Sequence, residues 1–371
     1  MLPRKRLLVL TTNHVGNNLF CTAGIRLLKR HLPDAEIDVV VMSPRGASVF
    51  AHNPDIRQVH LCFWRWQVRW LARRYDMVIG LHHNVARPYL EGLGAQAVLL
   101  NPPPPDTHGT EALLQSVGTL LGRAVTDADR HYRLCPQPAD FAAIDRHLAR
   151  ASQDSLQQVG NAMAASRSTN GNGSLARALG HGPLGQDSPL VGLHLGSGRT
   201  AVHGWKFWYA RRDTDPRIWP LERYVALVEL LRAVDPRVRV VITGSRNEKF
   251  LARRFVRRVP DAVDLVGKTS LLEMAALMSR LSVFVTHDNG ALHVACAMGL
   301  RLVGLFGPTQ PHRTGPFPRG AQNIILKEAS VDDIQPQRVC AAVVAQIRAG
   351  QASPLANAEG AGEAAANGAS S

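Results

Sequence analysis

The stretch Val283-Phe284-Val285-Thr286-His287-Asp288-Asn289-Gly290-Ala291-Leu292-His293 runs from an apolar segment into polar residues, a glycine and a helix-like segment. A strand that turns this way into a helix presents backbone N–H groups and a helix dipole to an anion such as a diphosphate. Gly290 permits close backbone approach. Asp288 suits a sugar hydroxyl or the ordering of the loop, and His293, about one turn on, suits a phosphate. The same spacing describes an ordinary strand–helix turn with Asp288 as N-cap. Three further loops have this character. Leu305-Phe306-Gly307-Pro308-Thr309 offers Thr309 to phosphate or sugar, or is a plain turn. His194-Leu195-Gly196-Ser197-Gly198 lets a phosphate approach backbone at Ser197, and Arg217, ahead of Ile218-Trp219-Pro220, is either a diphosphate partner or a solvated charge. In Thr243-Gly244-Ser245-Arg246-Asn247-Glu248, Glu248 suits ribose hydroxyls or simply complements a helix dipole.

These loops need strands to end on and helices to begin. The first half alternates the two: strands at 7–12, 37–42, 76–81 and 95–100, helices at 16–31 and 109–121. The 37–42 run is β-branched and apolar except for Asp38, the pattern of a buried parallel strand. The second half repeats the theme: strands at 190–195, 238–243, 282–286 and 302–306, helices at 220–234, 248–258, 270–280, 291–298 and 331–348. Alternating β and α elements predict parallel sheets covered on both faces, so the fold class is α/β with two doubly wound Rossmann-like domains facing a cleft. Domains are expected at 1–151 and 189–350, with a Ser/Ala/Gly/Asn-rich linker or insertion at 152–188 and a small-residue tail at 351–371.

A length of 371 residues suits two domains, and 45% hydrophobic with 19% charged residues suits a globular protein. The N-terminus resembles the start of a signal peptide, but its apolar run is short and no cleavage pattern follows, so it reads as a first strand. Five scattered cysteines, none in CxxC spacing, argue against a disulfide framework and a structural zinc site, and fit a reducing cytoplasm. A formal charge of +14 favours anionic partners or reflects arginine-rich composition alone. No nucleic-acid recognition motif accompanies it. Neither GxGxxG nor a P-loop follows the first strand, where Asn13-His14-Val15-Gly16-Asn17-Asn18 faces the expected cleft.

Taken in order, the loops resemble the lipopolysaccharide heptosyltransferases of glycosyltransferase family 9. That family's Asp-(Thr/Ser)-Gly-x-x-His is similar to Asp288-Asn289-Gly290-Ala291-Leu292-His293, and its (Phe/Tyr)-Gly-Pro-Thr to Phe306-Gly307-Pro308-Thr309. Its Lys-x-Trp-Pro resembles Arg217-Ile218-Trp219-Pro220, its Gly-x-x-x-Glu resembles Gly244 to Glu248, and Gly267-Lys268-Thr269-Ser270-Leu271 looks like the stretch beside the adenine. His108-Gly109-Thr110-Glu111 resembles the usual start of an N-terminal helix. The resemblance covers most of Lys5 to Arg348 apart from the linker. It implies a GT-B fold, a nucleotide-heptose donor, usually ADP-linked, and an acceptor in the Kdo or heptose region of the lipopolysaccharide inner core. It further implies an inverting reaction that uses no metal and no cofactor, and a donor site of Ser197, Arg217, Glu248, Thr269, Asp288, Asn289, Gly290 and His293.

One departure bears on chemistry. The family's N-terminal loop reads Gly-Asp, with that Asp as proposed general base; here the pair is Gly16-Asn17, and an amide cannot take a proton as a carboxylate does. Another group then acts as base, with His14 a substitute or a loop histidine without duty, or Asn17 positions the acceptor, or the chain binds nucleotide-sugar without turnover. Trp205 to Arg212 and Phe63 to Trp70 interleave Trp with basic residues. That pattern suits the inner face of a cytoplasmic membrane carrying a glycolipid acceptor, and for the second segment equally an amphipathic helix packing its Trp.

Overall fold

The computed structural model describes residues 5–166, 188–197 and 216–352. The first domain opens with β1 (Arg6–Leu10) and α1 (Val15–His31), followed by β2 (Glu36–Val41) and a short α2 (Pro44–Ala47). Then come β3 (Gln58–Leu61), α3 (Arg65–Ala72), β4 (Met77–Gly80), α4 (His83–Leu90), β5 (Ala97–Leu99), α5 (Gly109–Leu121) and α6 (Pro138–Ser166). All strand pairs are parallel, in the order β3-β2-β1-β4-β5. Alternate residues of β1 point to opposite faces: Leu7 and Val9 pack with Leu19, Leu27 and Leu114 of α1 and α5, while Leu8 and Leu10 pack with Val68, Leu71 and Ala86 of α3 and α4. Burial on both faces is why these strands read as apolar runs.

The second domain runs β6 (Leu190–His194), α7 (Leu221–Val234), β7 (Arg239–Thr243), α8 (Lys249–Val256), β8 (Val263–Asp264), α9 (Leu271–Met278) and β9 (Val283–His287). It ends with α10 (Gly290–Ala297), β10 (Leu302–Phe306), α11 (Pro311–Thr314), β11 (Asn323–Lys327) and α12 (Pro336–Ala352). Its parallel order is β11-β10-β9-β6-β7-β8. In each sheet the strand order reverses beside the first strand, between β1 and β4 and between β6 and β9. Those switch points are where a crevice opens beyond the strand C-termini.

One apolar cluster is shared by the domains: α1 and α5 residues join Phe284, Ala291 and Val294 of the second domain. An ion pair between Arg280 and Asp145 at 2.9 Å adds a polar tie at the end of α9.

The structure moves some expected boundaries. Residues 152–166, expected as the start of a linker, are instead the last part of α6, which continues through Ser166; residues 167–187 lie outside the described residues. Ala, Gln and Leu in 151–166 are helix formers, and that propensity prevails over the small-residue composition. The expected tail from 351 starts within α12, which ends at Ala352, and 353–371 are not described. The segment Trp205 to Arg212 also lies outside the described residues. Unforeseen elements include the edge strands β3, β8 and β11 and the helix α4, which carries Pro88 inside it.

Candidate active site

The cleft opens between the domains, beyond the C-terminal ends of β1, β4 and β5 on one side and of β9 and β10 on the other. A cavity of about 520 Å³ lies between the domains. Its N-terminal wall comes from three strand ends: Asn17 after β1, His82, His83 and Asn84 after β4, and Asn101 after β5. Its C-terminal wall comes from Asp288 after β9, Thr309 and Gln310 after β10, and Arg313 and Thr314 of α11.

The turn after β9 is set by Asn289, which is the N-cap of α10. Its Oδ1 accepts from the N–H groups of Ala291 (2.9 Å) and Leu292 (3.3 Å), and its Nδ2 donates to the Gly196 carbonyl at 3.2 Å. Asn289 therefore clamps the β9 turn to the β6 turn across the switch point. Asp288, expected as a possible N-cap, is freed by this for the cleft, where it accepts from the Thr314 hydroxyl at 3.0 Å. Burial pushes its carboxyl above the usual range, with the Thr309 and Thr314 hydroxyls and nearby Arg217 pulling the other way.

The remaining expected donor residues lie along the same edge. Ser197 is buried after β6, Glu248 is buried after β7, and Thr269 is half-buried after β8, so with Asp288 they follow the strand order β9-β6-β7-β8. Glu248 also has a local duty: its Oε2 accepts from the Ser245 N–H, and its carboxylate fills the space a side chain at Gly196 would need. Ser197 and Glu248 lie beside the cavity rather than in its wall.

Three expected residues are placed differently from their expected duties. His14 is exposed at the start of α1, its N–H donating to the Thr12 hydroxyl at 3.1 Å, and it does not line the cavity. Gly290 faces the other domain, where a Cβ would lie 3.6 Å from Val15 and 3.8 Å from the Gly16 nitrogen. His293 is buried in an aromatic seam, edge-on to Phe20 with centroids 4.8 Å apart, and a Cβ at Gly16 would lie 3.1 Å from its ring. Its imidazole closes the domain contact instead of opening onto the cleft.

Several positioning residues escape a reading of sequence. Asn18 is buried and ties the first loop by accepting from the Thr12 N–H (2.9 Å) and donating to the Thr12 and Gly46 carbonyls (3.1 and 3.2 Å). His287 accepts from the Trp219 N–H at 2.8 Å, fixing the stretch that carries Arg217. Trp219 in turn donates its indole N–H to the Ile334 carbonyl at 2.9 Å. His82 lies 3.4 Å from the Asn17 amide, and His83 Nδ1 donates to the Leu100 carbonyl at 3.1 Å. The only available signal for the histidines was the doublet itself at a strand end.

Comparison with known proteins agrees with this arrangement. Residues 209–341 match the model of glycosyltransferase family 9 (heptosyltransferase). Lipooligosaccharide heptosyltransferase 2 of Haemophilus influenzae is 31% identical over 118 residues, 30% of this chain and 34% of that protein. Lipopolysaccharide heptosyltransferase 2 of Escherichia coli K12 is 28% identical over 176 residues, 42% of this chain and 46% of that protein. The matched stretch thus spans less than half the length of either curated relative. The solved structure of E. coli ADP-heptose lps heptosyltransferase II superposes with a TM-score of 0.65 at 17% identity, covering 93% of this chain and 99% of that one, which shows a shared GT-B fold.

Proposed function

We propose, since this chain belongs to glycosyltransferase family 9 (heptosyltransferase) by its C-terminal domain, that it moves a heptose or related sugar from a nucleotide-sugar to the inner core of lipopolysaccharide. The observation that carries this reading is the row Asp288, Ser197, Glu248 and Thr269 along adjoining strand ends, beside Arg217 and a capped helix start. A nucleoside diphosphate-sugar laid along it would have its diphosphate by Arg217 and the α10 dipole, its ribose by Glu248 and its base by Thr269. ADP-heptose is the proposed donor, because a relative in fold carries it in its name.

The reaction is proposed as a single displacement with inversion that draws on protein groups alone, without metal or cofactor. An acceptor hydroxyl attacks the anomeric carbon from the face opposite the diphosphate. The new C–O bond forms as the bond to the diphosphate oxygen breaks, and the hydroxyl proton passes to a base. Charge gathering on the leaving diphosphate is met by Arg217, whose planar fork suits it. Mass-spectrometric turnover of ADP-heptose, with lipid A–Kdo and heptosylated-core acceptors offered separately, tests this. Transfer by wild type that falls at least about a hundredfold in Asp288→Ala is expected, the scale of a lost transition-state contact. Donor binding without transfer to either acceptor would favour the rival reading, motivated by Asn17, of a nucleotide-sugar-binding relative that has lost catalysis.

The same reading places the enzyme in the cytoplasm, held peripherally on the inner face of the membrane that carries its acceptor. Among the described residues no helix is long and apolar enough to cross a membrane. At α3, however, Val68, Leu71 and Ala72 pack inward while Trp64, Trp66 and Trp70 are 64%, 66% and 54% exposed, with Arg65, Arg73 and Arg74 beside them. Arg74 stacks over Trp70 at 4.1 Å. The helix follows β3, the edge strand of the first sheet. Indole rings with interleaved arginines match an anionic lipid surface. Flotation with phosphatidylglycerol vesicles, but not phosphatidylcholine vesicles, is expected for wild type and is expected to be lost in Trp66→Ser/Trp70→Ser. Flotation equal in wild type and variant would count against this face.

A further inference from the structure

Transfer to a hydroxyl needs a proton acceptor near the attacking oxygen. Among the described residues the C-terminal wall holds one carboxylate in the cavity, Asp288, and its oxygen already accepts from Thr314. Among the described residues lining the N-terminal wall there is no carboxylate; the wall is Asn17, His82, His83, Asn84 and Asn101 with apolar neighbours. The groups there that can take a proton are the two imidazoles.

We propose that His82 Nε2 is the proton acceptor for the incoming hydroxyl and that Asn17 is its positioning residue. This rests on the transferase reading of the same cleft. The loops after β1 and β4 are neighbours because Leu10 pairs with Gly80 across the parallel ladder, and the Leu81 N–H donates to the Leu10 carbonyl at 3.0 Å. That register brings the Asn17 amide nitrogen within 3.4 Å of His82 Nε2. With the Asn17 amide N–H donating, Nε2 presents its lone pair and the ring carries its proton on Nδ1, which is buried without a hydrogen-bond partner. That lone pair, at the cleft wall and open to the acceptor hydroxyl once the Asn17 amide gives way to it, is the form a base must take.

Surroundings favour the neutral ring. Burial lowers its pKa below the ordinary value, its own backbone works the other way, and His14 and His83 nearby lower it further. Facing it across the cleft are Asp288 and Arg313. In the step itself the acceptor O–H bond breaks, its oxygen bonds to the anomeric carbon, the proton goes to Nε2, and the nucleoside diphosphate leaves with the electron pair of the old bond. Asn17 then hydrogen-bonds the acceptor or the ring but never holds the proton.

The test compares His82→Gln, His83→Gln and Asn17→Asp/His82→Gln with wild type. Expected is a drop in kcat of about a hundredfold or more in His82→Gln, with little change in donor KM and loss of the acidic limb of the kcat–pH profile. Asn17→Asp is expected to rescue His82→Gln by at least tenfold, because it sets a carboxylate within a few ångströms of the lost base. Glutamine preserves the shape and hydrogen bonding of the site, so a merely structural role would give neither the pH change nor the rescue. A kcat unaltered in His82→Gln, or lost only in His83→Gln, overturns the proposal. Imidazole ¹⁵N shifts give a readout independent of any sugar transfer. A neutral His82 protonated at Nδ1 is expected, and one protonated at Nε2 would overturn the assignment even if the transferase reading itself were wrong.

Discussion

At the centre of β2, Asp38 is fully buried, yet it is a carboxylate between the apolar Ile37 and Val39 to Val41. Its oxygens accept from Arg57 Nε at 3.0 Å and from the Tyr75 hydroxyl, and His60 lies 3.2 Å away. Burial pushes the Asp38 carboxyl up, but Tyr75, His60 and Arg57 together outweigh it and hold it below the usual range. A depressed carboxylate pKa contributes stability that is present above the unfolded value and lost as pH falls through the folded value. Urea unfolding of wild type is therefore expected to weaken on acidification below about pH 4 more steeply than that of Asp38→Asn. At pH 7, Tyr75→Phe should cost about 1.5–3 kcal/mol, the worth of a hydrogen bond to a charged group. A variant as stable as wild type would show that the cluster is energetically idle. The odd residue in the strand was visible in sequence, but its partners were not, because they come from β3 and from the turn before β4.

Among the elements, β9 does two jobs through adjacent residues. Asp288 and Asn289 beyond its end form the cleft wall and the α10 cap, while His287, its last residue, accepts from the Trp219 N–H and faces the Tyr224 hydroxyl at 2.9 Å. The hydroxyl itself donates to the His194 carbonyl of β6, so one buried histidine joins the strand to the start of α7. His287→Leu removes the acceptor for Trp219 and releases the stretch carrying Arg217. Donor KM should rise about tenfold, the weight of roughly 1.4 kcal/mol, with a smaller change in kcat and an unchanged circular dichroism spectrum. A donor KM equal to wild type would mean that Arg217 is held by other contacts. Strand-end loops such as Asp288 to His293 could be read from sequence because a strand, its turn and the next helix are local. The Trp219–His287 bond, the Asn17–His82 contact and the Asn289–Gly196 clamp join segments dozens of residues apart, and no spacing rule brings them together. Edge strands escaped for a different reason: β3 is four residues, Gln-Val-His-Leu, with neither end buried, too short and too polar to stand out.

For the whole molecule, the contact between domains is aromatic where it meets the cleft. Phe20, His108, Tyr132, His293 and Phe317 stack and tilt against one another, with His108 and Phe317 centroids 4.9 Å apart. Two of these rings are imidazoles. Burial pushes His293 down to about 3, assisted by the charge of His108, and burial pushes His108 down to about 4 against its bond to the Gly315 carbonyl. If the domains part and wet the rings, both return towards the ordinary histidine value of about 6.5. The opened form then binds more protons than the closed form between about pH 6.5 and the depressed values, so closure is favoured above that window and lost as pH falls through it. Small-angle scattering should show a radius of gyration that grows between pH 7.5 and 5 while secondary structure persists. His293→Phe keeps an apolar ring in the seam and removes one proton site, so its expansion should begin at lower pH. A wild-type radius constant down to pH 4.5, or identical curves for the two proteins, would mean that the shared core of α1, α5 and α10 holds the domains together regardless of these rings.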